Sequence, residues 1–361
     1  MREPLITIVL PTYNRPGVLA VAIKSVLGQS IPDWKLLVIG DHCSDSTGET
    51  VNAFQDARVS YINLLVRFGE QSGPNSVGLA LTTTPYVAFL NHDDILLPDH
   101  LEYGLGILEE SGGDIFIGRS AFSYESVPEG DLRKPTVKRL NPLTRSPRHT
   151  YHRRFLFEPC SSWLIRTRTA HAIGPWRKCT ELYRTPLQEW LLRGWMQNAR
   201  FVFGRRITVW KIVTHYKYVD EQGCYHHRSL EHEYVDALMA GGNADSIRDY
   251  IRQNLVAKPV DTTGDAPRGS QAIRTVISLL TSGGRFRDRL KRTTDFLTQN
   301  SLAAMVYRYT RIDLYRAWCR LQGLEKGHLY RGLTRKRTGD DLPESPPISE
   351  VVEIVTAQHP V

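Results

Sequence analysis

Residues 86–94 have the sequence YVAFLNHDD, in which an apolar run ends abruptly in four polar residues. A short run of apolar, β-branched and aromatic residues predicts a buried strand. The change in composition predicts that this strand ends at Asn91. In open parallel sheets, ligands bind outside the carboxyl ends of the strands. This stretch therefore predicts a sheet edge with a polar, acidic turn at a ligand site.

The preceding sequence repeats the same alternation of strand and helix patterns. Residues 5–10 (LITIVL), 36–39 (LLVI) and 59–62 (VSYI) predict three further strands. After Pro16, apolar residues follow helical spacing, and Pro is well suited to the first position of a helix. Alternation of this kind predicts an α/β fold, with a mostly parallel sheet flanked by helices.

Two more polar clusters follow predicted strands. Residues 11–15 (PTYNR) come after the first strand, and residues 41–45 (DHCSD) come after the second. One polar strand end is ordinary turn chemistry. Three such ends in order, two of them acidic, indicate a binding site shared by three loops.

At this point the chain resembles the family-2 glycosyltransferases, whose catalytic domain has the Rossmann-like GT-A fold that binds nucleotide-sugars. The resemblance rests on the order and spacing of PTYNR (11–15), DHCSDST (41–47), YVAFLNHDD (86–94), SWLIR (162–166), GPW (174–176) and QEWLLR (188–193). It covers roughly residues 4–215. The C-terminal third carries no comparable motif.

The resemblance implies a donor site for a UDP- or dTDP-sugar. The residues that it assigns to this site are Pro11, Thr12, Asn14, Asp41, Asn91 and His92. Asp41 is expected to accept the N3–H of uracil or thymine, which adenine lacks. Asp93 matches the metal-binding aspartate of the family's D-x-D motif and is expected to hold Mn²⁺ or Mg²⁺, because such cations prefer carboxylate oxygens. Asn91 replaces the first aspartate of that motif. Without the resemblance, the same turn would be interpreted as a helix N-terminal region.

Two residues are expected to act on the acceptor side. Glu189 stands at the family's general-base position, where it would deprotonate the acceptor hydroxyl and give inversion. The alternative is that Glu189 only complements a helix dipole. Trp190 is expected to bind the acceptor by stacking on a sugar ring, although Trp163, Trp176 and Trp190 could instead all belong to the core.

We expect a catalytic domain over residues 1–225, a helical basic region over 226–340 and a loose tail over 341–361. Residues 123–152 are expected to form a long loop or lid. The chain carries a net charge of +8, and the stretch 285–337 alone contains 14 basic and 4 acidic residues. This basic stretch either contacts an anionic membrane peripherally or packs on the transferase domain. No nucleic-acid motif accompanies it.

The five scattered cysteines and the absence of a signal peptide pattern favour a reducing, cytoplasmic location. Three functions compete. The first is an inverting, metal-dependent glycosyltransferase with a glycan or lipid-linked acceptor. The second, a nucleotidyltransferase, is disfavoured because residues 12–17 contain a single glycine. The third is a catalytically degenerate protein that binds a partner or membrane through its basic region.

Overall fold

The computed structural model describes residues 3–141, 159–213, 228–256, 313–331 and 341–359, together with Ser278 and Thr310. Within these residues the strands are β1 (Ile6–Thr12), β2 (Trp34–Gly40), β3 (Val59–Asn63), β4 (Tyr86–Phe89), β5 (Asp94–Leu96), β6 (Ile115–Glu129), β7 (Leu132–Leu140), β8 (Trp163–Arg166) and β9 (Phe201–Ile212). The helices are α1 (Pro16–Leu27), α2 (Thr47–Asn52), α3 (Ser72–Ala80), α4 (His100–Ser111), α5 (Thr167–Ile173), α6 (Pro186–Met196), α7 (Leu230–Gly241), α8 (Ala244–Gln253), α9 (Leu314–Leu321) and α10 (Ile348–Gln358).

All the described strands belong to one sheet, with the order β3-β2-β1-β4-β8-β6-β9-β5 and with β7 paired to β6. Strands β1 to β4 are parallel to one another. Strand β8 runs antiparallel to both β4 and β6, and β9 is parallel to β6. Among the described strands, only β5, β7 and β8 run antiparallel to the others. The predicted α/β class and its mostly parallel sheet are confirmed.

The central strands are apolar because helices cover both faces of the sheet. Side chains alternate between the two faces of a strand. In β1, Ile6, Ile8 and Leu10 pack on the face that α1 and α4 cover. Val9 points to the other face and joins the cluster that contains α3, α5 and α6. Burial on both sides explains why residues 5–10 show an almost continuous apolar run.

The segment after residue 123 differs from the loop or lid that we expected. Strands β6 and β7 form a long antiparallel hairpin, and Gly130 supplies the positive φ of 59° that its turn requires. Polar residues dominate β7, but Val137 is buried in the same apolar cluster as Val235 of α7. The loop prediction was wrong for residues 123–140 because so few apolar residues mark this strand. Residues 142–152 lie outside the described residues.

The tail also differs from expectation, because residues 348–358 form a helix. Ile348, Val351 and Val355 recur at helical spacing along one face of α10, and all three are buried in the core cluster that α3 shares. Before the helix, Lys178 Nζ donates to the backbone oxygen of Ser345 at 2.7 Å. This part of the chain is therefore packed on the first domain, not loose.

The described parts of the C-terminal region, residues 228–256 and 313–331, are mainly helical, as expected. Helices α7 and α8 lie beyond the predicted boundary at residue 225, yet they share an apolar cluster with β5, β6, β7 and β9. Further along, Tyr315 and Trp318 are buried, and Arg184 binds both carboxylate oxygens of Asp313 at 2.6 and 2.7 Å. None of the helices that the structure describes is both long and apolar enough to cross a membrane. The basic run at residues 285–292 lies outside the described residues.

Candidate active site

Three of the predicted polar clusters lie side by side at one edge of the sheet. Strand β1 pairs with both β2 and β4, so their carboxyl ends are neighbours. Pro11 is buried within β1, paired with Ile39, and Thr12 ends the strand. Thr12 Oγ1 lies 3.2 Å from His92 Nδ1, which joins the ends of β1 and β4. Burial lowers the pKa of His92 to about 4, so its imidazole is neutral at neutral pH.

Asn14 connects the loop after β1 to the loop after β2. Its Oδ1 accepts from the backbone N–H of Ser44 at 3.0 Å, and its Nδ2 donates to Ser44 Oγ at 3.2 Å. Asn14 has a φ of 43°, a conformation that asparagine tolerates better than most residues. Its amide therefore shapes the two loops in this structure.

Asp41 is buried and holds the loop that precedes α3. Its Oδ1 accepts from the backbone N–H of Phe68 at 2.7 Å, and its Oδ2 accepts from that of Gly69 at 2.8 Å. Burial raises the pKa of Asp41 to about 6, although the two amides and Arg67 oppose the rise. Each carboxylate oxygen has a second lone pair and could accept one further N–H. Arg67 stacks on the Tyr13 ring, with its guanidinium carbon 4.1 Å from the ring centroid.

Residues 91–94, here called the acidic turn, are closed by a backbone hydrogen bond from Asp94 to Asn91 of 3.1 Å. Asn91 Nδ2 also donates to Asp94 Oδ2 at 3.0 Å. Asp94 is completely buried, and its carboxylate also accepts from Ser161 Oγ at 2.5 Å and Lys211 Nζ at 2.8 Å. Burial raises the pKa of Asp94, and the Lys211 ammonium opposes this effect. This hydrogen bond accounts for asparagine at position 91, because an ionised aspartate there could not donate to Asp94.

Asp93 is the carboxylate of the turn that remains partly accessible, with 16% of its side chain exposed. Its Oδ1 lies 3.8 Å from Lys211 Nζ. Among the described residues, no group of three histidine, cysteine or acidic side chains could hold a metal by itself. The sequence resemblance assigns the cation to Asp93, which would bind it together with the phosphates of a donor. That arrangement fits Mg²⁺, which is commonly bound by one or two carboxylates together with substrate phosphates.

Glu189 lies in the first turn of α6, where two guanidinium groups contact it. Arg193 Nε donates to Oε2 at 3.0 Å, and Arg177 Nη1 lies 3.2 Å from Oε1. The Arg177 side chain is 57% exposed, whereas that of Glu189 is only 10% exposed. A proton acceptor needs an accessible oxygen, so Arg177 would have to turn away from Oε1 before an acceptor hydroxyl could reach it.

Gln188, which precedes Glu189, has a clear structural role. Thr185 caps α6 by accepting from the Gln188 backbone N–H at 3.2 Å, while Gln188 Oε1 accepts from the Thr185 backbone N–H at 3.4 Å. This is a capping box, which the pattern Thr-x-x-Gln signals in sequence. Our sequence interpretation missed it. The capping box accounts for the amide at this position.

The acceptor-binding prediction for Trp190 requires correction. The ring is completely buried, and its Nε1 donates to the Gly174 backbone oxygen at 2.9 Å. It stacks with Trp163 and Trp176 at centroid distances of 5.9 and 5.7 Å, and all three rings meet the edge or face of Phe89 on β4. A sugar ring cannot stack on an indole in this position. The three tryptophans form the core beneath α6.

Comparisons with known proteins agree with this fold. Residues 7–174 match the model of glycosyl transferase family 2. The chain is 31% identical over 151 residues to the poly(ribitol-phosphate) beta-N-acetylglucosaminyltransferase TarP of Staphylococcus aureus, covering 39% of this chain and 45% of TarP. It is 32% identical over 132 residues to the UDP-Glc:alpha-D-GlcNAc-diphosphoundecaprenol beta-1,3-glucosyltransferase WfgD of Escherichia coli, covering 37% and 50%. The chain thus spans about half the length of the curated relatives that it matches.

Among solved structures, S. aureus TarS 1-349 in complex with UDP-GlcNAc aligns over 98% of this chain and 91% of that chain, with 16% identity and a TM-score of 0.47. The family model and the curated relatives agree on the class of the domain that residues 7–174 form. Residues 7–174 form a family-2 glycosyltransferase domain, as the sequence motifs predicted.

Proposed function

We propose that the protein is an inverting, metal-dependent glycosyltransferase that uses a UDP- or dTDP-sugar. The observation that carries the proposal is the acidic turn, which stands beside the loops after β1 and β2 within a family-2 domain. WfgD is named for UDP-Glc, and this supports a uridine donor here. The acceptor would be a hydroxyl of a glycan or of a lipid-linked sugar, as the names of TarP and WfgD suggest.

On the donor side, Asp41 would accept the N3–H of the base, and Thr12 and Asn14 would shape the wall of the base and ribose pocket. The donor site would also include Pro11, Asn91 and His92, which lie at the ends of β1 and β4. Asp93 would hold the cation, which, when bound, neutralises the negative charge that develops on the diphosphate. Lys211 adds a fixed positive charge to the same turn.

On the acceptor side, Glu189 would accept the proton of the attacking hydroxyl. As that oxygen forms its bond to the anomeric carbon, the bond from this carbon to the diphosphate oxygen breaks. The electron pair leaves with the nucleotide diphosphate, and the configuration at the anomeric carbon inverts. Arg193 would keep the Glu189 carboxylate oriented throughout, because it lies on the same helix one turn later.

The test is the release of nucleoside diphosphate from a panel of UDP-, dTDP-, GDP- and ADP-sugars, with Mn²⁺, Mg²⁺ or EDTA. We expect release from a UDP- or dTDP-sugar only, and only with a cation. Asp131 lies exposed in the β6–β7 turn, so Asp131→Ala is a matched control that should keep full activity. Absence of release from every uridine and thymidine donor would contradict the proposal.

A peripheral contact with an anionic membrane remains a second proposal for the basic region. In the described part of that region, Tyr315 and Trp318 are buried in the protein, which favours packing for residues 313–331. The run Arg287, Arg289, Lys291 and Arg292 carries the membrane proposal. Sedimentation with phosphatidylserine vesicles at low salt tests it, and replacement of these four residues by alanine should abolish binding.

A further inference from the structure

The acidic turn is held by residues that lie beyond the family-2 match. Lys211 comes from β9, and its ammonium group contacts Asp94 at 2.8 Å and approaches Asp93 to 3.8 Å. His232 comes from α7, 139 positions after Asp93 in the chain, and its ring reaches the backbone of the turn. The donor edge is therefore incomplete within residues 7–174.

His232 is oriented from both sides of its ring. Its Nε2 lies 3.1 Å from the backbone oxygen of Asp93, and a carbonyl oxygen can only accept, so the ring donates from Nε2. Its Nδ1 lies 2.8 Å from Ser229 Oγ, which is itself 3.0 Å from Glu231 Oε2. Glu231 also accepts from Ser126 Oγ at 2.8 Å and so fixes α7 to β6. His232 is 1% exposed, which leaves its ring little freedom to turn.

We propose that His232 is a positioning residue of the donor site, which fixes the Asp93 peptide so that the Asp93 carboxylate faces the diphosphate. The proposal rests on the donor role of Asp93 given above. The orientation of a peptide sets the direction of the adjoining Cα–Cβ bond, and the Asp93 carbonyl is a point at which α7 contacts the turn. Without this donor, the partly buried Asp93 carbonyl would lose a partner, and the turn would relax to find another.

The Lys211 ammonium would attract the Asp93 carboxylate if the turn moved. Its ammonium is 3.8 Å from Asp93 Oδ1, just beyond a direct hydrogen bond. A turn that is no longer held by His232 can close this gap, because opposite charges attract strongly in a largely buried site. Asp93 would then pair with Lys211 and not with the cation and diphosphate. Loss of a hydrogen-bond partner that orients a metal-binding residue typically lowers metal affinity or activity by roughly 10- to 100-fold.

The experiment compares three variants with the wild type. His232→Leu keeps the volume and removes the donor, whereas His232→Gln retains an amide N–H near the position of Nε2. His100→Leu is the matched control, because His100 is also completely buried and contacts Thr208 Oγ1 at 2.9 Å, outside the candidate site. UDP affinity is measured by calorimetry with Mn²⁺ and with EDTA, together with the melting temperature of each variant.

We expect His232→Leu to weaken Mn²⁺-supported UDP binding by roughly 10- to 100-fold and to leave binding in EDTA unchanged. His232→Gln should recover most of the loss. His100→Leu should lower the melting temperature but keep wild-type UDP affinity. Asp93→Asn is included to test the proposed metal role of Asp93 separately from the positioning role of His232.

Two outcomes overturn the inference alone: wild-type affinity in His232→Leu while Asp93→Asn is impaired, or equal losses of affinity in His232→Leu and His100→Leu. The second would reduce His232 to a contribution to stability. Wild-type UDP binding by Asp93→Asn would show instead that the proposed role of Asp93 is wrong, and the inference would fall with it.

Discussion

The two halves of the candidate site are built differently. At the acidic turn, Asp94 is completely buried and its carboxylate has three side-chain partners on separate parts of the chain. At the start of α6, Glu189 is held at one oxygen by Arg193 and at the other by Arg177, whose side chain is mostly exposed. Under the proposed roles, the donor side is preorganised, whereas on the acceptor side the contact between Arg177 and Glu189 must change before Glu189 can act as a base.

The sharpest test of the preorganised half is Asp93→Ala. We expect it to abolish transfer and the metal-dependent part of nucleotide binding, because a cation would lose its protein carboxylate. Turnover assays and UDP calorimetry with and without Mn²⁺ measure both effects. Asp131→Ala serves as the control, and normal metal dependence in Asp93→Ala would contradict the assignment.

The proposed acceptor side, at the start of α6, is tested by Glu189→Gln. We expect turnover to fall by roughly 10²–10⁴, the usual range for a lost general base, while UDP affinity stays unchanged. Steady-state kinetics and UDP calorimetry separate these effects. Glu110→Gln, on the exposed end of α4, is the matched control. A loss that arises from weaker donor binding would place the base elsewhere.

A smaller effect is expected for Asp41→Ala. Under its proposed role, the variant would lose a charge-assisted hydrogen bond to the base, worth about 1.5–3 kcal/mol, and also the support of the loop at Phe68 and Gly69. Weaker UDP binding should therefore accompany faster amide exchange in that loop. Unchanged UDP affinity, measured by calorimetry, would show that Asp41 supports the loop without reading the base.

The smallest effect concerns stability. Asn91→Asp removes the donor to Asp94 and places a second carboxylate beside it, so we expect a loss of about 1–3 kcal/mol in the free energy of unfolding near neutral pH. Burial already raises the pKa of Asp94, and the added negative charge raises it further. Protonation restores a donor, so the deficit should shrink as the pH falls. Denaturant unfolding at several pH values tests this, and a deficit that grows towards low pH would refute it.

The sequence was most informative about the parallel part of the sheet and its polar edge. Apolar runs that end in polar clusters identify strands β1, β2 and β4, because burial on both faces leaves few polar residues within them. The motifs also predicted which loops meet. The hairpin of β6 and β7 was missed because β7 is mostly polar. The helix α10 was missed although Ile348, Val351 and Val355 show its periodicity.

Other features of the site depend on tertiary contacts that no local pattern reveals. Lys211 and His232 reach the acidic turn from β9 and α7, and neither belongs to a recognisable motif. Trp190 was assigned to the acceptor because it follows Glu189 in sequence. Adjacent residues on a helix point in different directions, and Trp190 faces the core.

The location of the donor site can be tested most directly by amide hydrogen exchange with and without UDP and Mn²⁺. We predict protection of residues 12–15, 41–45, 67–69 and 91–94 when UDP binds, and little change in the first turn of α6 until an acceptor is added. Protection that falls elsewhere, with these four segments unchanged, would contradict the assignment of this sheet edge as the nucleotide-sugar site.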